Sequence, residues 1–140
     1  MFKEPFDVVD LVEHADKRGV LHEVLRFKDQ GVPGEGQLYV FTINPGERRG
    51  DHYHEAKREW FTCVSGQVTV LLEDRDGHQE KVELSSINPK IIYCGPFTTH
   101  ALYNEQGEVA TCLSYSSKQH DPDQPDTYSK IINYESVQSV

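Results

Sequence analysis

The sequence predicts an all-β fold, a sandwich or small barrel, on three observations. Short apolar-rich runs recur at close, even spacing, turn residues separate nearly all of them, and no helical periodicity persists over a useful length. In order the runs are VLHEVLRF (20–27), QLYVFTI (37–43), EWFTCV (59–64), QVTVLLE (67–73), KVELS (81–85), KIIYC (90–94), HALYN (100–104) and VATCLSY (109–115). Between them stand GVPGEG, NPGERRGD, SG, DRDG, NP and NEQGE, whose Gly, Pro, Asn and Asp supply turn geometry. Val68, Val70 and Leu72 alternate as a sheet with one buried face requires. Ser65-Gly66 between two runs predicts a tight hairpin, with Gly furnishing the positive φ. Only DVVDLVEHA (7–15) carries a brief helix-like pattern, so helix is expected to be scarce. The tail from Gln119 has too many Pro and Asp for a core strand and is expected to wrap the surface or reach a neighbour.

At 140 residues the chain is expected to form one domain with a real core and no need of disulfides. Six Phe, seven Tyr and one Trp supply the bulk that a disordered chain lacks. The expected organisation is an N-terminal segment over about 1–36, a barrel core over about 37–118 and a wrapping tail over about 119–140. A formal charge of -9 without a Lys/Arg cluster argues against nucleic acid and anionic membranes as partners, since both would repel the whole molecule. Cys63, Cys94 and Cys112 form no CxxC pattern and read as reduced, buried thiols. Neither a leader-like N-terminus nor an apolar stretch near membrane-spanning length is seen, so a cytoplasmic location is expected.

The segment GERRGDHYHEAKREWFTCVSG (46–66) carries the chemistry. Side chains alternate faces along a strand, so His52 and His54 point one way and Tyr53 the other. Glu59 opens the next run with Phe61 and Cys63 on its face, and His100 begins a strand after the turn GPFTT. Three imidazoles and a carboxylate suit Zn, Fe, Mn or Ni and leave positions open for a substrate; the ligand set does not choose among them.

The spacing is more specific than the pair of histidines. Gly46, His52, His54, Glu59 and Gly66 stand at G-x5-H-x-H-x4-E-x6-G, which chance produces about once in a million registers if each residue is as common as Gly. His100 and Asn104 follow as H-x3-N. This pattern resembles the two motifs of the cupin superfamily, whose fold is a double-stranded β-helix or jelly-roll barrel. The second motif departs from the usual form, with Phe97 where Gly often sits.

Further segments narrow the resemblance. DKRGVLHE carries Asp16, Arg18, Gly19 and Glu23 as D-x-R-G-x-x-x-E, similar to the segment with which nucleotide-sugar 3,5-epimerases hold the nucleotide end of their substrate. Arg49, Gly50 and His52 resemble the R-G-x-H run of those enzymes, in which the histidine is the base. The tail HDPDQPDTY and the run through His52, Tyr53, His54, Lys57, Glu59 and Phe61 resemble the cupin domain of bifunctional capsular polysaccharide epimerase/reductases.

What the resemblance implies is a metal-binding epimerase or isomerase acting on a nucleotide-linked 4-keto-6-deoxy sugar in capsular or surface polysaccharide synthesis. A 3,4-ketoisomerase, a non-catalytic sugar-binding cupin and a dioxygenase are the rival readings. His52, His54, Glu59 and His100 are the expected ligands of a divalent ion, with Zn taken first and Fe, Mn or Ni after it. His52 is claimed twice, as ligand and as base; ligation is preferred, which leaves the proton to Lys57, Tyr103 or Tyr115. Arg18, Glu23, Arg48 and Arg49 are the expected substrate contacts, the arginines because guanidinium groups pair with phosphate through two donors. A homodimer and a separate sugar reductase are the expected partners.

Overall fold

The computed structural model describes residues 1–134. Its strands are β1 (Val12–Asp16), β2 (Gly19–Arg26), β3 (Gln37–Ile43), β4 (Arg48–Tyr53), β5 (Glu59–Ser65), β6 (Gln67–Glu73), β7 (Gln79–Ser85), β8 (Ile92–Cys94), β9 (Thr99–Tyr103), β10 (Ala110–Ser116) and β11 (Tyr128–Ser129). One short helix, α1 (Phe27–Gln30), is the only helix among the described residues, and it is too short to cross a membrane. The strands form two antiparallel sheets, ordered β1-β2-β3-β10-β5-β8 and β11-β4-β9-β6-β7.

The inner faces of the two sheets meet in one core, with Ile43, Phe61, Cys63, Val70, Leu84 and Cys112 almost wholly enclosed. Burial of each large aliphatic or aromatic side chain there contributes roughly 1.5–3 kcal/mol. Alternation in the sequence sets this face directly: along β5, Glu59, Phe61 and Cys63 are buried while Trp60 and Thr62 between them are only partly so. Phe61 therefore lies inside, and Trp60 lies outside against Tyr93 and Tyr115. Cys63, Cys94 and Cys112 are buried and free.

Helix is scarce, as expected, and one expectation fails. Residues 7–15 form no helix; Val12–Asp16 pairs as β1 with β2 through a Lys17-Arg18 turn, because so brief a pattern cannot offset the cost of helix nucleation while a hairpin satisfies the same backbone. The expectation that fails is the tight turn, since Ser65-Gly66 makes no hairpin. Strand β5 pairs with β10 and β8, and β6 pairs with β9 and β7, so Gly66 (φ +81) is the corner where the chain crosses between sheets. A side chain at this corner would crowd the Val109 carbonyl. The segment before residue 37 supplies β1 and β2 to the six-stranded sheet and so belongs to the barrel wall.

The tail wraps the five-stranded sheet. Strand β11 pairs with β4, and Ile132 is buried on the outer face against Leu71 and Ala101. Asp51 holds it there, accepting from the Lys130 N–H (2.8 Å) through its carbonyl and from the Ile132 N–H (3.2 Å) through its carboxylate. Residues 135–140 lie outside the described part.

Candidate metal centre and its cleft

Strands β4 and β9 bring the histidines together. His52 stands opposite His100 in the ladder, and a register shift between Gly50 and His52 marks a β-bulge. Asp51 at the bulge takes φ 58, and Gly50 (φ +89) passes so near the His100 carbonyl that a Cβ would sit 2.6 Å from it. The bulge has a functional consequence. Simple alternation would place Arg49 and His52 on opposite faces; the extra residue puts both inside, while Arg48 pairs with Tyr103 on the outside.

His52, His54 and His100 offer ligand atoms that all lie within 4.8 Å of one another. Glu59 lies against two of them, with Oε1 2.8 Å from His54 Nε2 and Oε2 3.6 Å from His100 Nε2. His54, His100 and Glu59 are buried, and His52 is partly so. His54 Nδ1 is 2.5 Å from the Asp126 carbonyl oxygen, which can only accept, so Nδ1 carries a proton and, in that tautomer, Nε2 turns its lone pair outward. That buried Nε2 makes no hydrogen bond, though it lies beside the carboxylate. Two lone-pair atoms this close, out of line for a hydrogen bond, suit two ligands of one cation better than they suit each other.

The electrostatics suit a cation too. Burial, then His100 and His54 nearby, push the His52 pKa down to about 4. Burial likewise lowers His100, with Glu59 opposing. For Glu59, burial pulls upward but the contact with His54 and the charges of His100 and His54 outweigh it, holding the carboxyl at about 2. The lowered His52 and His100 and the ionised Glu59 match what metal binding needs of its ligands.

The second motif shapes one wall of the site. Phe97 keeps the left-handed turn expected of Gly, at φ 64, and its N–H donates to the His54 carbonyl at 2.7 Å. Its ring stacks on Tyr53 and lies 3.6 Å from the Arg75 guanidinium, contacts that offset the strain. Asn104 ends the motif buried, donating to the carbonyls of Ile43 (2.9 Å) and Glu108 (2.7 Å), so it ties two loops together and takes no part in the site.

A small cavity of about 80 Å³ at His52, His100 and Glu59 adjoins a larger one of about 320 Å³, the two sharing Leu21, Tyr39 and Arg49 in their walls. Arg18, Arg49 and Lys57 line the larger one. Lys57 is 9% exposed. Arg49 donates to the Thr42 carbonyl at 2.9 Å over the Phe41 ring, and burial with Arg18 nearby lowers its pKa. Arg18 is more open and pairs with Asp16 at 2.6 Å. Cations held side by side at a cleft are an arrangement that an anionic ligand relieves.

Other expected residues fall elsewhere. Arg48 is engaged on the outer face by Asp51 (2.7 Å) and the Ile132 carbonyl (3.1 Å), so it does not reach the cleft. Tyr103 packs outside with Leu71, Ala101 and Ile132. Tyr115 is also outside, donating to the Glu35 carbonyl at 2.6 Å and packed near Trp60 and Phe27. The reason is strand parity: on β9 and β10 the inward set is His100 and Leu102, and Cys112, Ser114 and Ser116. Glu23 lines the larger cavity, but its carboxylate already accepts from His14, Arg26 and Gln37, each at 3.1 Å.

Three residues that sequence reasoning passed over enter the picture. Tyr39 lies between the two cavities, and burial together with the charge of Glu59 raises its hydroxyl pKa well above the usual range. Its place on the inward set Gln37, Tyr39, Phe41, Ile43 was readable from alternation alone. His14 and His120 line the larger cavity with no motif to mark them.

The protein is similar to proteins of known kind. A family model described as the Polysaccharide biosynthesis C-terminal domain matches residues 14–128. The chain is 28% identical over 120 residues to a UDP-2-acetamido-2,6-beta-L-arabino-hexul-4-ose reductase of Pseudomonas aeruginosa, an alignment covering 85% of this chain and 31% of the relative. It is 28% identical over 126 residues to the spore coat polysaccharide biosynthesis protein SpsL of Bacillus subtilis, covering 85% and 83%. Among solved structures it is similar to the capsular polysaccharide assembling protein CapF from Staphylococcus aureus, at 25% identity and a TM-score of 0.81, over 89% of this chain and 33% of that one. An oxalate decarboxylase of Bacillus subtilis, at 16% identity and a TM-score of 0.63 over 76% of this chain and 27% of that one, shares the cupin fold alone. The chain thus spans about a third of the reductase and of the capsular protein. Built on the cupin jelly roll and matched along most of its length, the chain belongs to the family of polysaccharide biosynthesis C-terminal domains.

Proposed function

We propose that this protein is a metal-dependent epimerase or isomerase of a nucleotide-linked 4-keto sugar in surface polysaccharide synthesis. The observation that carries the reading is the adjacency of the two cavities: buried metal-ligand chemistry at one end adjoins Arg49, Lys57 and Arg18 at the other. A keto-sugar diphosphate needs both ends. The similarity to a hexul-4-ose reductase supports a nucleotide-linked keto-sugar substrate with a reductase as the matching next step, and the similarity to the capsular protein supports polysaccharide synthesis.

His52, His54, Glu59 and His100 would hold the ion, zinc first among the candidates. When bound, a divalent ion supplies a Lewis acid for the sugar carbonyl oxygen. Arg18 and Arg49 take the diphosphate. The chemistry then requires a group that removes the proton beside the ketone, and one that returns it on the same or opposite face. Lys57 and Tyr39, both lining the cleft, are assigned these roles; His52 is a ligand, since a ring with its pKa near 4 is a poor proton acceptor. The partly exposed outer face of the six-stranded sheet, with Trp60 and Tyr93, is assigned to a homodimer contact.

The test is solvent exchange. Incubation with UDP-linked 4-keto sugars in deuterium oxide should place deuterium at the carbon beside the ketone, with product NMR distinguishing epimer from ketoisomer. Absence of exchange with every nucleotide keto-sugar offered, from protein whose metal content is verified by elemental analysis, refutes the reading. Oxygen uptake in the same assay would turn it toward a dioxygenase.

A further inference from the structure

The tail reaches the metal centre chiefly through Asp126, with the Thr127 hydroxyl farther off at 3.5 Å from His54 Nδ1. Asp126 accepts three backbone N–H groups of the loop between β4 and β5: Glu55 on Oδ1 at 2.8 Å, Ala56 on Oδ2 at 2.9 Å and Lys57 on Oδ2 at 2.8 Å. Its own carbonyl oxygen accepts from His54 Nδ1 at 2.5 Å. Two residues later β11 begins, with Tyr128 opposite Tyr53 and Ser129 opposite His52. One residue of the tail is therefore bound at four points to the four consecutive residues His54 to Lys57, and the strand after it is registered against the first histidine.

These contacts have different consequences. The carbonyl bond fixes the tautomer of His54 and leaves Nε2 as the only lone pair of that ring, beside the Glu59 carboxylate. The carboxylate gathers three otherwise unpaired donors in a loop with no ladder partners and fixes the backbone of Lys57, whose side chain lines the cleft. Charge-assisted bonds from a carboxylate to backbone N–H groups are about twice as strong as neutral ones, so the anchor is strong enough to keep the carbonyl on its ring.

We infer that Asp126 is the positioning residue of this site: through its carbonyl it presents His54 as an Nε2 ligand, and through its carboxylate it sets the loop that carries Lys57 toward the substrate. The inference rests on the metal reading above. It assigns to the D-P-x-x-P-D-T-Y stretch of the tail, Asp121 to Tyr128, a task that surface wrapping alone does not require.

The experiment uses the full chain, prepared metal-free and titrated with zinc against a competing chelator, alongside Asp126→Ala and the milder Asp126→Asn. Wild-type protein should show His54 as the Nδ1–H tautomer in long-range proton–nitrogen NMR. Asp126→Ala should weaken zinc affinity about 10- to 100-fold and mix the His54 tautomers, with Asp126→Asn between it and wild type. A purely structural role predicts lower thermal stability with unchanged zinc affinity in the folded fraction, and that result overturns the assignment. So does a wild-type spectrum with the proton on Nε2, a measurement that does not depend on either variant folding. Wild-type protein that takes up no zinc, manganese, iron or nickel refutes the metal centre itself, an outcome distinct from equal affinity in wild type and variants.

Discussion

The two ends of the cleft are built on different physical terms. At the deep end, His54, Glu59 and His100 are buried and fixed by a β-bulge and by the tail, with Glu59 and His100 both lowered in pKa. At the rim, Arg18 is half exposed, paired with Asp16 and open to solvent screening. The deep end is preorganised, so its groups give up little freedom on binding but do not tolerate loss of a neighbour. The rim is adaptable and contributes through charge, which salt weakens. Arg49 lies between them, half-buried with its guanidinium over Phe41, and joins the two environments.

The sharpest way to break this contrast is His54→Ala. It removes a buried ligand and leaves Glu59 without its nearest partner, so zinc affinity should fall by more than about 100-fold, read by competition titration, which exceeds the cost of losing a supporting contact. A variant that binds zinc as wild type does would move the centre elsewhere.

Acidification probes the same end without mutation. In metal-free protein the folded-state pKa of His52 is depressed to about 4 from 6.5 and that of His100 is lowered as well, so the unfolded chain binds more protons in that window. Stability should therefore decline progressively as pH falls from 6.5 toward 4. Thermal denaturation with a His52→Gln control should show a flatter profile in the variant; equal slopes would mean that burial of His52 is not what depresses its pKa.

At the rim, Arg18→Ala should weaken nucleotide-sugar binding about 10-fold at low salt, equivalent to ~1.4 kcal/mol, with a smaller loss at high salt and no change in metal content. Calorimetry at two ionic strengths checks both parts. The smallest effects belong to Tyr103→Phe and Tyr115→Phe, whose rings lie outside the barrel: exchange rates should stay within about twofold of wild type, while Tyr39→Phe should slow exchange by about 100-fold or more, in the range of general acid–base contributions.

Legibility in the sequence followed the same divide. Strands β3 and β6 were read to the residue because alternation and turn residues are local signals, and the spacing of His52, His54 and Glu59 marked the metal end for the same reason. The two tyrosines proposed for proton transfer were misplaced although their strands were found, because parity relative to the core requires knowing which neighbour faces in. Arg48 and Arg49 look equivalent in the chain; the bulge at Asp51 sends one outside and the other to the cleft. Glu23 was recognised as part of a motif, but its three hydrogen-bond partners come from β1, β2 and β3.

By itself the sequence determined the all-β class, most turn positions, the histidine and glutamate spacing of the candidate centre and the acidic character, all of which depend on residue type and short-range spacing. Only the tertiary structure decided that Gly66 is a crossing between sheets, that Tyr39 stands between the cavities, and that Asp126, 72 positions beyond His54, supplies the carbonyl that orients it. Those outcomes depend on which distant segments pack together, and burial is shared among many residues in a way that local spacing does not encode.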